Sequence, residues 1–113
     1  VNMSIYPTTG AEEKIMGRGG KVSYDDVKDV LKVICTENMS QDNLLIQVGD
    51  VQTYLKLEKD LEVTTYTIRN YGFRNRGYFE KKYPESCTYN ADRNSKNRGL
   101  VLYPEKFLEQ VES

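Results

Sequence analysis

The sequence predicts an α+β domain on three observations. An apolar stripe with helical spacing runs through residues 23–38, shorter helical patterns follow it, and the chain then switches to two strand-like segments split by a polar turn. A length of 113 residues suits one domain with a modest core. With 29% charged and 38% hydrophobic residues the chain is too apolar for a disordered tail. Its longest apolar runs, "LLI" and "LVL", fall far short of the roughly 18 residues that a membrane span needs.

Residues 1–22 contain Pro7, Gly10, Gly17, Gly19 and Gly20 with no sustained apolar period, and are expected to form a flexible N-terminal arm; the folded domain is expected over 23–113. "GRGGK" lacks the G-K-[ST] ending of a phosphate-cradling loop and follows no strand, which leaves Arg18 and Lys21 as loose contacts to a polyanion. "VNMSIYPTTG" has no basic region followed by an apolar core, so no signal peptide is read there.

In "SYDDVKDVLKVICTEN", Ser23 is placed to cap a first helix, and Asp25 and Asp26 favour the positive end of its dipole. Tyr24, Val27, Val30, Leu31 and Ile34 form its buried stripe. "NLLIQV" (43–48) fits a brief strand, and "GDVQTYLKL" (49–57) a second helix through Val51, Tyr54 and Leu55. Leu61 and Val63 anchor the next turn, and Thr64 or Thr65 caps a third helix with Ile68 and Tyr71 inward. Beyond it two readings stay open. Gly72 and Gly77, each costing about 1 kcal/mol in a helix interior, end or break the helix near Tyr71; otherwise Ile68, Tyr71, Asn75, Tyr78 and Phe79 carry it on toward Pro84. "SCTYNA" (86–91), "DRNSKN" (92–97) and "RGLVLYP" (98–104) read as strand, turn and strand, and "EKFLEQV" (105–111) as a closing helix.

Composition narrows the chemistry. The chain has no histidine, which removes Ser-His and Cys-His nucleophilic sites, histidine general bases and most zinc sites. Cys35 and Cys87 make no C-x-x-C pair and read as two free thiols of an intracellular, reducing compartment, cytoplasmic or nuclear, with a single bridge as the alternative. The acids Asp25, Asp26 and Asp29 are explained by helix-dipole charge patterning rather than by a metal. A metal-dependent nuclease wants a Glu-x-Lys pair on a strand, and Glu12–Lys14 lies in the arm. No enzyme, cofactor or metal is expected.

Charge is polarised. Residues 1–62 carry 7 basic and 11 acidic side chains; residues 63–104 carry 8 and 3, a balance of +5 inside a chain of net charge −1. "VTTYTIRNYGFRNRGYF" (63–79) concentrates Arg69, Arg74 and Arg76 with five aromatic rings and no acid. Local field, rather than net charge, decides whether a polyanion is attracted.

The element order, together with "VGDVQTYLKLEKDLEVTTYTIRNYGF" and the basic hairpin after it, resembles a winged helix-turn-helix DNA-binding domain: a three-helix core, a short strand and a C-terminal hairpin wing. "TTYTIRNY" looks like its recognition helix, and the continuation is similar to winged-helix modules of some phage and plasmid replication proteins. The resemblance implies double-stranded DNA as the partner. Arg69 and Asn70 would read guanine and adenine edges, and Thr64, Thr65 and Thr67 would donate to phosphates. Arg74, Arg76, Arg93, Lys96 and Arg98 would neutralise the backbone. A first residue other than Met hints at an excised domain or at vector residues, and the lack of a further apolar helix for a dimer puts an excised module of a replication or recombination protein on at least equal footing with a complete transcription regulator. The rival expectation for the same fold is protein contact, with the basic face meeting an acidic partner and exposed tyrosines as anchors. Ring burial is the commoner use of Tyr66, Tyr71, Phe73, Tyr78 and Phe79.

Overall fold

Ser23 opens the fold where the sequence places it. In the computed structural model, which describes Met16 and residues 22–112, its hydroxyl accepts the Asp26 N–H at 3.2 Å and the Asp26 carboxylate accepts the Ser23 N–H at 3.0 Å. This capping box starts α1 (Tyr24–Glu37), which buries Tyr24, Val27, Val30, Leu31, Ile34 and Cys35 along one stripe. Met16 and Val22, from the segment expected as an arm, are buried in the same core. The rest of that segment, Arg18 and Lys21 included, lies outside the described residues.

After β1 (Leu44–Ile46), α2 (Val48–Lys59) begins one residue ahead of the expected Gly49 and buries Val51 and Leu55. It ends over Asp60, whose left-handed φ of 53° lets the Leu61 N–H reach back to the Leu55 carbonyl at 3.1 Å. Leu61 and Val63 pack against the core from the following turn.

Thr64 caps α3 (Thr65–Thr67), which passes directly into a π-helical segment, Ile68–Phe73. The fork in the sequence reading resolves into a break: the π segment ends at Phe73, and α4 (Tyr78–Lys82) starts anew behind Gly77 at φ 56°. Packing explains the wide turn. Ile68 and Phe73 are both fully buried. Five residues apart on an α-helix they would point about 140° away from each other, whereas a π turn brings both to the core. The inward pair is therefore Ile68 and Phe73, and Tyr71, expected inward, is half-buried. Gly72 allows the close fit, since a Cβ there would lie 3.3 Å from the Met16 methyl and 3.5 Å from the Phe79 ring.

β2 (Cys87–Asn90) and β3 (Gly99–Leu102) form the hairpin, with a 3₁₀ turn at Ser95–Asn97 between them. β1 pairs with the other edge of β3, giving an antiparallel sheet of order β1-β3-β2. Leu44 lies opposite Leu102 and Ile46 opposite Leu100, so one face is apolar and turned inward. Gly99 is obligatory by contact: a Cβ there would sit 2.6 Å from the Ile46 carbonyl oxygen. Pro104 opens α5 (Pro104–Glu112), whose Phe107 is fully buried with its ring 5.3 Å from that of Tyr83. α1 packs against both α2 and α5. The class is α+β, and no helix among the described residues is long and apolar enough to cross a membrane.

Candidate nucleic-acid interface

The expected binding residues fall into three groups, and the fold treats each differently. At the start of α3, the Thr64 hydroxyl accepts the Thr67 N–H at 3.2 Å, and the Thr64 and Thr67 hydroxyls are 3.0 Å apart. One hydroxyl proton of the pair is used between them and one remains to donate outward. Thr65 is half-buried on the same turn.

The π segment presents Arg69 and Asn70, both half-buried. The Asn70 side-chain oxygen already accepts from the Asn75 amide at 2.6 Å, and its backbone carbonyl accepts the Arg76 N–H at 3.0 Å. What Asn70 keeps for a base edge is its amide donor and one lone pair. Among the described residues the Arg69 side chain has no hydrogen-bond, ion-pair or ring partner. Arg74 and Arg76 follow in the break before α4, both exposed, and the Arg76 guanidinium lies 4.9 Å from the Tyr71 ring centre.

The hairpin loop between β2 and β3 is built from its own polar groups. The Asp92 carboxylate accepts the Asn94 N–H at 2.8 Å, and the Asn94 side chain accepts the Lys96 N–H at 3.0 Å. The Arg98 guanidinium donates to the Asp92 and Arg93 carbonyls at 3.0 and 2.8 Å, which ties down the loop that exposes Arg93 and Lys96. Sequence reasoning missed Gln47. Its amide donates to the Ser95 and Arg98 carbonyls at 2.7 and 3.0 Å and pins the start of α2 to the hairpin loop. No motif marks such a pair, because the partners lie 48 and 51 residues apart.

Arg69 and Arg98 are thereby brought to one cleft of about 370 Å³, which Gln47, Asp50, Tyr89 and Ser95 also line. The threonines of α3, the exposed Arg74 and Arg76, and the hairpin tip remain separate groups on the surface.

Neutralisation of these cations by the acidic half was the simplest alternative use for them. The ion pairs among the described residues are Lys28–Asp25, Lys56–Asp60, Lys56–Glu62, Lys59–Asp26 and Lys59–Asp29, and none of them takes an arginine. Of the five rings in the segment, Phe73 and Phe79 are fully buried, Tyr71 and Tyr78 pack partly against the core, and Tyr66 stays 63% exposed.

Other chemistry has little to work with. Cys35 and Cys87 are free and buried, and burial pushes both thiols up to about 12, out of the range in which a thiolate reacts at neutral pH. A second Glu-x-Lys spacing, Glu80–Lys82, lies on α4, where the Glu80 carboxylate accepts the Tyr89 N–H at 3.1 Å. Comparison of the chain with protein-family models, curated proteins and solved structures found no match in any of the three.

Proposed function

We propose that this chain binds nucleic acid, with double-stranded DNA as its ligand, through the α3–π segment and the β2–β3 wing of a winged helix-turn-helix arrangement. One observation carries the reading: a segment with a balance of +5 keeps its arginines out of every ion pair among the described residues. Uncompensated charge held on a folded surface is what a polyanion selects, because each neutralised phosphate releases a counterion. The order helix, strand, helix, helix, hairpin, with β1 on the far edge of β3, supports the same reading.

In this proposal Arg69 reads a base edge, assisted by the remaining donor of Asn70. Thr64, Thr65 and Thr67 meet phosphates at the start of α3. Arg74, Arg76, Arg93 and Lys96 supply the salt-dependent term, and Arg98 shapes the wing while adding its charge. The chain acts as a binding module, either a regulator or a part of a replication or recombination protein, in a reducing intracellular compartment. A second reading, protein contact, draws on Leu57 and Tyr66, which are 74% and 63% exposed.

Fluorescence anisotropy with labelled duplex and single strands, at low and moderate salt, tests the proposal. Arg69→Ala is expected to weaken duplex binding about tenfold or more, and Arg93→Ala to lower the salt slope by about one. Absence of binding to either form at low salt refutes it. Salt-insensitive binding to a protein partner, lost in Tyr66→Ser, would favour the second reading.

A further inference from the structure

We propose that the cleft between the start of α2, the π segment and the root of the wing holds an unpaired guanine of the bound strand; this rests on the nucleic-acid reading above. The cleft, about 370 Å³, is above the roughly 300 Å³ at which small-molecule sites begin. Three charged side chains line it: Arg98, whose guanidinium donates to the Asp92 and Arg93 carbonyls, and Arg69 and Asp50, which are opposite in charge and form no ion pair within 4.0 Å. Arg69 is half-buried with five donors and no partner among the described residues. Asp50 gives one carboxylate oxygen to the Gln47 N–H at 3.0 Å.

The pairing of charges selects the ligand. A phosphate would gain from Arg69 and Arg98 but be repelled by Asp50, so it answers only one sign of the charges in the cleft. Guanine is neutral and carries both complements. Its O6 and N7 accept the two-pronged guanidinium, and its N1–H and N2–H groups donate to a carboxylate. Adenine places its N6 donor beside N7 on a single edge, where the two side chains would compete. In a duplex guanine N1 and N2 face cytosine, so the base must be unpaired for both edges to be used. The half-buried Tyr89 adds an aromatic wall of the kind on which single-stranded bases stack. Gln47, bound to the Ser95 and Arg98 carbonyls, holds two walls of the cleft together without a ligand.

The test uses one labelled duplex, either blunt or carrying a short single-stranded tail whose central base is guanine, inosine or adenine. Anisotropy titrations of the full chain should place the guanine tail about tenfold tighter than the adenine tail. Inosine, which lacks the N2 amine, should fall between them. Asp50→Asn, whose amide oxygen still accepts the Gln47 N–H, should bring the guanine and inosine tails to equal affinity and leave only the preference over adenine that Arg69 reads through O6 and N7. Equal affinities in the wild type, with the blunt duplex bound, overturn the guanine site and leave the duplex reading standing. A preference for guanine over inosine that survives Asp50→Asn also overturns it, since the carboxylate then does not read the N2 amine. If neither the blunt nor any tailed duplex binds, both proposals fall together.

Discussion

The lysines of α1 and α2 and the arginines of residues 63–104 are held by different kinds of partner. Lys59 sits between Asp26 and Asp29 at 3.2 and 2.7 Å, and Lys56 between Asp60 and Glu62 at 3.4 and 2.8 Å. Each ammonium is thus met, and outweighed, by two carboxylates within one contact. Arg98 instead rests on two backbone carbonyls, Arg76 lies over a tyrosine ring, and the Arg69 side chain has no partner among the described residues. A carbonyl or a ring face orients a guanidinium without removing its formal charge. The positive field of the second region therefore reaches outward over a Debye length, about 8 Å at physiological salt, while that of Lys56 and Lys59 is met locally by carboxylates. Net charge is silent on this distinction; the identity of the partners decides it.

The largest test of this contrast asks whether both regions hang on one core. Phe73 closes the π segment and is fully buried with Ile68, Phe79 and Phe107 in a single cluster. Phe73→Ala should cost about 3–5 kcal/mol in urea denaturation. A cost below about 1 kcal/mol would mean that the basic region is a loosely attached lobe and that its uncompensated charge is not held on a rigid surface.

What could be read from the sequence was local. The α1 stripe, its Ser23 cap, the strand at 44–46 and the two strands of the hairpin each follow from neighbours in the chain. The π turn was hidden because its period is set by tertiary demand: Ile68 and Phe73 must both face inward, and Gly72 must admit Met16 and Phe79. The Gln47 tie to the hairpin loop was hidden for the same reason, as was the use of Asn70 by Asn75, which takes one lone pair of a predicted base reader. Residue types located the charge. Only the fold shows that, among the described residues, no acid forms an ion pair with its arginines.

A smaller effect separates the two helix starts. The π turn leaves α3 only three residues of regular helix, Thr65–Thr67, behind the Thr64 cap, whereas Ser23 caps the 14 residues of α1. Thr64→Ala should cost about 1 kcal/mol, read as a fall in thermal midpoint, and Thr64→Ser should recover most of it. Loss of the cap without loss of stability would show that packing of Ile68 and Phe73 alone sets the entry to the π segment.

The smallest expected effect tests the quenched region by pH. Burial raises the Asp26 carboxyl pKa, but the Ser23 N–H and the Lys59 ammonium together outweigh it and hold the folded value below the ordinary one. A depressed folded pKa contributes stability that is present above the unfolded value, about 3.9, and is lost as pH falls through the folded value. Lys59 shifts the opposite way: its bond to Asp29 is the largest cause, burial opposes it, and the net value is raised. Its contribution is present below the unfolded value, about 10.4, and is lost as pH rises through the folded one. The cluster is thus most stabilising between those limits. Asp26→Asn should lower stability at pH 7 by less than about 1 kcal/mol, because the pair is partly exposed. The gap from wild type should close as pH falls below about 4, where Asp26 takes up its proton. A gap that stays constant down to pH 2 would assign the loss to the capping geometry of α1 rather than to charge, and Lys59 would then no longer stand as the neutralised counterpart of the arginines.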